Sequence, residues 1–421
     1  MMRKLLCIIL LSVGISLFGC GKIQPQIATV IVRETHVVTV EVTHIIRETV
    51  VVTPTPTRLW HIDVPQGPDL EIPRTWHTAT RLNDGKIIIA GGSNGRDDQY
   101  AVAEIYDPVT GLFAPAASLN TPRHEHSATL LKDNRVLVVG GYNHQQQWLK
   151  DAEVYDPSTN IWKVVPSIYS HGVQHTATLL PDGRVLVIGG CIGNGVCTNR
   201  VEIFDPQNDS WTEAAPLKAE RASHAAVLLD DGRVLVAGGT LSDSDALIYD
   251  PKVNTWTTTG PMVQQRTQAP MIKLIDGRVL VAGGLSLVGD PNATTSTEVY
   301  SPETNTWTAA ASLSQPRYAH MLVLLPNGQV LIVGGAREYD YPIGHPNGNP
   351  WTTASFINDI EIYDPSSNSW YIAGELLLPE TYAAAAFLPD GRLWLTGGGA
   401  SHDLATAWAF TWFITPIYTQ P

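Results

Sequence analysis

Residues 175–180 (His175-Thr176-Ala177-Thr178-Leu179-Leu180) lead through Pro181-Asp182-Gly183 into Arg184-Val185-Leu186-Val187-Ile188-Gly189-Gly190. Then come Arg200-Val201-Glu202-Ile203-Phe204-Asp205-Pro206 and, five residues on, Trp211. The stretch holds four strand-length runs separated by turn residues. Asp182-Gly183 suits a tight primed hairpin turn because both residue types tolerate positive φ. The glycine pair ends the second run, and Asp-Pro ends the third because proline cannot continue a hydrogen-bonded ladder. The unit recurs along the chain. The second glycines of successive pairs are Gly92, Gly141, Gly190, Gly239, Gly284, Gly335 and Gly398, at spacings of 49, 49, 49, 45, 51 and 63 residues.

A period near 50 residues with four strands per repeat reads as one propeller blade per unit. Each of six units carries an aromatic seven residues after its tyrosine or phenylalanine: Phe113, Trp162, Trp211, Trp256, Trp307 and Trp370. With the glycine pairs and the Tyr-Asp-Pro triplets, these residues make the chain resemble the kelch-repeat family over roughly residues 58 to 413. The resemblance implies an all-β, kelch-type β-propeller of four antiparallel strands per blade. Seven blades are expected, with six as the alternative. The glycines, the triplets and the outer aromatics are read as blade construction. The seventh unit ends before a fourth strand, and Leu59-Trp60-His61-Ile62 is read as the N-terminal strand that completes it, aligned on Trp60 with Trp307.

Outside the repeats, Arg3 and Lys4 precede an apolar run from Leu5 to Phe18, too short for a comfortable membrane span and suited to a secretory signal. Leu17-Phe18-Gly19-Cys20 resembles the bacterial lipobox, which implies residues 1–19 as a lipoprotein signal peptide and Cys20 as the lipidated residue. Residues 20–57 read as a lipid-anchored tether rich in Thr, Val and Pro, with strand pairing to another chain as the alternative. Residues 58–421 form the propeller. Of four cysteines, Cys7 leaves with the signal and Cys20 carries lipid, so Cys191 and Cys197 are expected to pair in an oxidising compartment. A formal charge of −13 and a pI near 5.4 argue against nucleic acid as a partner.

Alternating strand direction puts the loops from strand two to three, and from strand four to the next blade, on one face. The longest departure from the repeat lies there, between Gly335 and Glu361. Its Tyr339, Asp340, Tyr341, His345 and Trp351 are candidate binding residues because long loops on rigid scaffolds collect ligand contacts. The same face receives a repeated arginine at positions 74, 123, 221, 266 and 317, and a histidine three residues on at 77, 126, 175, 224 and 320. Arg123, Arg221 and Arg317 are candidates for an anionic ligand in an open funnel; the competing reading makes them part of the blades.

His-Glu-x-x-His does not occur, and Gly-x-Ser-x-Gly is matched only at Gly91-Gly92-Ser93-Asn94-Gly95, where the first two glycines are a repeat's own pair. Kelch propellers also resemble the galactose-oxidase class of copper radical enzymes, whose centre needs a cysteine cross-linked to tyrosine, two histidines and a second tyrosine. The presumed Cys191–Cys197 pair leaves that chemistry without a seat. A further resemblance, to sialic-acid isomerising propellers, keeps a sugar-directed enzyme as the alternative function. The expectation is a monomeric, surface-anchored bacterial lipoprotein that binds a protein or glycan partner, touches membrane by its lipid only, and needs no cofactor, metal or catalytic residue.

Overall fold

Strands form where β-branched residues run uninterrupted, and the second strand of each unit shows this most clearly: Ile87–Ala90, Val136–Val139, Val185–Ile188, Val234–Ala237, Val279–Ala282, Val330–Val333 and Leu393–Thr396 are buried at every position. A strand buried on both faces reads as a continuous apolar run instead of an alternating one. The computed structural model describes residues 26–31, 37–42 and, from 64 to 414, all but 95–97, 146, 194–195, 240–244, 287–291, 338–355, 379–380 and 400–410.

The chain divides into two units, residues 1–59 and 60–421. In the first, Gln26–Ile31 pairs antiparallel with Val37–Val42, with Gln26 opposite Val42. The alternating Val and Thr of the sequence-read tether thus pair within the chain. Cys20 and the rest of the signal and tether lie outside the described residues.

The second unit is a seven-bladed propeller. Six four-stranded antiparallel sheets follow chain order, such as Thr176–Leu179, Val185–Ile188, Val201–Asp205 and Ser210–Glu213. The seventh has three strands, Ala384–Phe387, Leu393–Thr396 and Thr411–Ile414. The core lies between sheets of neighbouring blades. Leu186, Ile188, Val201 and Ile203 of blade three, for example, pack on Val234, Val236 and Tyr249 of blade four. Trp162, Trp211, Trp256 and Trp370 each donate their indole N–H to a main-chain carbonyl of the preceding blade, at Ala117, Val165, Ala215 and Ala311. An indole packed between sheets needs such a partner, and here the bond ties the outer strand of one blade to the outer edge of the one before it.

The glycine pairs have a geometric cause. Gly91 and Gly92 lie at φ +63° and +94°, and a Cβ on Gly91 would stand 2.5 Å from the Arg123 carbonyl oxygen of the next blade. That approach lets the Gly92 amide donate to Arg123 O at 2.9 Å, a bond repeated between later blades and closed on itself by Gly398 N to Arg74 O at 3.0 Å. Only glycine combines positive φ with so close a contact.

Closure through the N-terminal segment occurs, but in a different register from the one read in the sequence. Gly67 N donates to Thr411 O at 2.8 Å, Phe413 N donates to Pro65 O at 3.0 Å, and Gln66 bridges Trp412. This register sets Val64, which packs among Ile414 and Trp412, opposite Ile414. Val64 therefore takes the place that Trp307 holds opposite Tyr300 in blade five. Trp60, four residues earlier, is not the equivalent of Trp307 and lies outside the described residues. An aromatic match misled the alignment, whereas main-chain pairing to Thr411–Ile414 sets the register.

Candidate binding site

Each of the five repeated arginines enters its own blade. Arg317 donates to Gly334 O and Asp359 O, both at 3.1 Å, and to Glu361 Oε1 at 2.5 Å. Arg123 donates to Gly140 O at 2.7 Å and Glu153 Oε1 at 2.8 Å; Arg74 and Arg266 do the same with Gly91 and Glu104, and with Gly283 and Glu298. These guanidinium groups are fully buried. They hold together the second strand's end, the third strand and the loop between them. Burial lowers the pKa of Arg317, while Glu361 opposes the shift.

Two blades depart from this scheme in a correlated way. Blade three has His171 for the arginine, hydrogen-bonded through Nδ1 to Gly189 O and through Nε2 to Glu202 Oε2, both at 2.8 Å. In blade four Leu247 takes the glutamate's register position, and Arg221 turns to the carbonyls of Gly238 (2.7 Å) and Asp245 (3.3 Å). The sequence candidates Arg123, Arg221 and Arg317 thus need correction as ligand groups in an open funnel, because their side chains are buried inside the blades and bond to main-chain carbonyls there.

The histidines join one blade to the preceding one. His126 Nε2 meets Thr78 Oγ1 at 3.1 Å, His175 Nε2 meets Ser127 Oγ at 2.8 Å, and His224 Nε2 meets Thr176 Oγ1 at 2.9 Å. Burial pushes the pKa of His77, His175, His224 and His320 down to about 3, so all are neutral at physiological pH.

Between each arginine position and its histidine position stands a residue with left-handed backbone: Trp76, Glu125, Gln174, Ser223, Gln268, Ala319 and Tyr382, all at φ between +51° and +62°. The conformation aims amides around the ring, as in Glu125 N to Trp76 O at 3.1 Å, Trp76 N to Tyr382 O at 3.3 Å, Ser223 N to Gln174 O at 2.9 Å, and Gln268 N to Ser223 O at 3.0 Å. Main-chain geometry is therefore common to all seven positions, yet no two neighbours around the ring share a side chain. Construction does not explain that variety, and strained backbone held by its surroundings is a frequent feature of binding sites.

Here the ring borders an open pocket of about 300 Å³ lined by Trp76, Ser93, His124, Glu125, Tyr142, His144, Trp148 and Val173. Trp76 lies 5.4 Å from His124 and 5.2 Å from Tyr382 between ring centroids; Tyr142 meets His124 and Trp148 edge-on at 5.5 and 5.4 Å. Behind Trp148 is the disulfide loop. Cys191 and Cys197 are bonded, with Cα atoms 3.9 Å apart, and a Cβ on Gly193 between them would stand 2.2 Å from the indole of Trp148. Glu125 sits deep in the concavity with 31% of its side chain open to it. Desolvation there raises its carboxyl pKa to about 7, and burial lowers that of the adjacent His124 to about 4.

Tyr339, Asp340, Tyr341, His345 and Trp351 lie outside the described residues. The ends of their loop are placed: Ala336 bridges both Tyr318 and Phe356 beside the ring position of Ala319, so the loop leaves from this face. The pocket residues themselves were missed in the sequence. One signal was available: the column two residues after the arginine, hypervariable within a constant frame.

Comparison with known proteins agrees with this geometry. The KLHDC2/KLHL20/DRC7 Kelch-repeats domain family matches residues 39–239, and the Kelch motif matches residues 221–263 and 274–314. Together with the fold, these matches make the chain a kelch-repeat β-propeller. It is similar to a galactose oxidase of Gibberella zeae, at 30% identity over 31% of this chain and 18% of that one. Mouse Kelch-like protein 35 is 31% identical over 26% of this chain and 16% of its own length. The matched segments span less than a fifth of these curated relatives. A solved fungal alcohol oxidase of the AA5 family, in complex with copper, shares the fold with a TM-score of 0.67 and 20% identity, covering 84% of this chain and 76% of the other. The residues here do not fit a copper–thioether centre: Cys191 and Cys197 are joined to each other, and the described residues contain no group of three or more His, Cys, Asp or Glu able to hold a metal.

Proposed function

We propose that this protein is an extracytoplasmic binding propeller, held at a bacterial membrane surface by lipid on Cys20, that captures a protein or glycan partner on its loop-bearing face. The observation that carries the reading is the left-handed ring: seven positions with one backbone and varied side chains, opening beside an aromatic pocket. Kelch proteins often act in protein interactions, which favours binding over catalysis. The loop from Ala336 to Phe356, with Tyr339, Asp340, Tyr341, His345 and Trp351, adds contact surface on that face, where rigid aromatics supply area at low entropic cost.

The test is a screen of the protein against glycan arrays and envelope proteins, repeated with Trp76→Ala and with the Tyr341→Ala/Trp351→Ala pair. A genuine partner loses about 1 to 4 kcal/mol of binding to one or both variants, while melting temperatures hold. Undiminished binding by both variants refutes the assignment of the face. The anchor is tested separately: Cys20→Ala should move the protein from the detergent phase to the aqueous phase, and wild type that incorporates no labelled palmitate refutes lipidation.

A further inference from the structure

We propose that the pocket beside Trp76 and Glu125 receives an organic ammonium group, of the kind carried by a lysine side chain or a choline-type head group. The inference rests on the reading of this face as the binding face and names the chemistry it recognises. Trp76 comes from the start of blade one and Tyr142 and Trp148 from the loop of blade two, so three electron-rich rings line the cavity from two blades. Aromatic faces attract cations through the ring quadrupole, and most strongly where water is excluded.

The charges point the same way. Neither Lys nor Arg is among the eight lining residues, and Glu125 supplies the one carboxyl. His124 Nε2 lies 3.7 Å from its Oε1, on a ring that burial keeps neutral at physiological pH. Among the described residues lining the pocket no Lys or Arg faces this carboxylate; such a charge in a concave, partly dry site is costly, and an incoming cation relieves that cost. Anions meet the opposite sign here. Neutral sugars stack on the rings but leave the carboxylate uncompensated. A volume of about 300 Å³ holds an ammonium with its alkyl stem, and Trp148 is backed by the Gly193 loop, so the wall is formed before binding.

The test uses the whole protein and three small probes: choline, Nα-acetyl-lysine N-methylamide, and 3,3-dimethylbutan-1-ol, the uncharged isostere of choline. Calorimetry should show at least one ammonium binding about tenfold or more tighter than the isostere. Glu125→Gln, which keeps the size of the side chain, should weaken that ammonium about fivefold or more, leaving isostere binding unchanged. Preference for the lysine amide identifies a peptide as the source; preference for choline identifies a head group. Equal binding of the isostere, or no saturation by either ammonium below about 100 mM, overturns the proposal. If an array partner still loses affinity to Trp76→Ala while both ammonium probes fail, the chemistry is wrong and the binding face stands. If that partner ignores both Trp76→Ala and the Tyr341→Ala/Trp351→Ala pair, the binding-face reading fails as well.

Discussion

Acidification from pH 6.5 to 5.0 should strip this propeller of much of its stability, through histidines that do no chemistry. In the fold, His77, His175, His224 and His320 have pKa values near 3, caused first by desolvation. Unfolded, they return to about 6.5. A base whose pKa is depressed by folding contributes stability that is present above the unfolded value and is lost as pH falls toward the folded one. Glu125 has the opposite sign, because its pKa is raised to about 7: it favours the fold increasingly as pH drops toward 4.5. Near pH 5.5 each of the four rings gains about 0.9 proton on unfolding and Glu125 releases about 0.9, so these five groups alone take up near three protons, and His124 and His126, which burial also lowers, add to that in the same direction. The slope from those five groups is about 4 kcal/mol per pH unit, and their loss between pH 6.5 and 5.0 is about 5 kcal/mol, a lower bound once His124 and His126 are added. That compares with about 5 to 15 kcal/mol for a typical domain. Urea unfolding followed by tryptophan fluorescence at constant ionic strength measures it. His224→Ala, which installs the residue that Ala269 already provides in blade five, should flatten the slope by about one proton, or 1.3 kcal/mol per pH unit. A wild-type slope below one proton, or an unchanged slope in His224→Ala, refutes the reasoning.

Three further outcomes are expected. Arg317→Ala leaves Glu361 buried without a counter-charge and should cost about 3 to 5 kcal/mol, whereas Arg221→Ala, which orphans only carbonyls because Leu247 replaces the glutamate, should cost clearly less; equal losses in chemical denaturation count against a structural ion pair. Truncation through Pro68 removes the main-chain bonds to Thr411 and Phe413 and should produce aggregation and a lower melting temperature, while truncation through Ile62 should not; matching melting curves for the two would discard the strap. Replacing Cys191 and Cys197 by serine should cost about 2 kcal/mol of stability on the chain-entropy estimate and, through the Gly193 loop behind Trp148, weaken any ligand of the pocket. Unaltered ligand affinity in that variant would show that the loop does not position the indole.

The sequence by itself determined the blade and favoured seven of them over six. Glycine pairs, Asp-Gly turns and outer-strand tryptophans are local demands of φ, hairpin twist and inter-blade packing, and such demands repeat wherever the unit repeats. It left the roles of repeated polar residues open, because repetition is compatible with a ring of ligands and with a ring of girders. Only the tertiary structure turned Arg123, Arg221 and Arg317 inward, since the carbonyls they satisfy come from a strand end and a third strand far along the chain. The pocket was illegible for the same reason in reverse. Trp76 and Glu125 share only the 49-residue spacing of the repeat, and Trp148 shares not even that; they meet because one stands at the left-handed position of blade one, one at that of blade two, and one on a loop held by the next blade's disulfide. Local sequence sets backbone conformation, while convergence of side chains from separate repeats is a property of closing the ring.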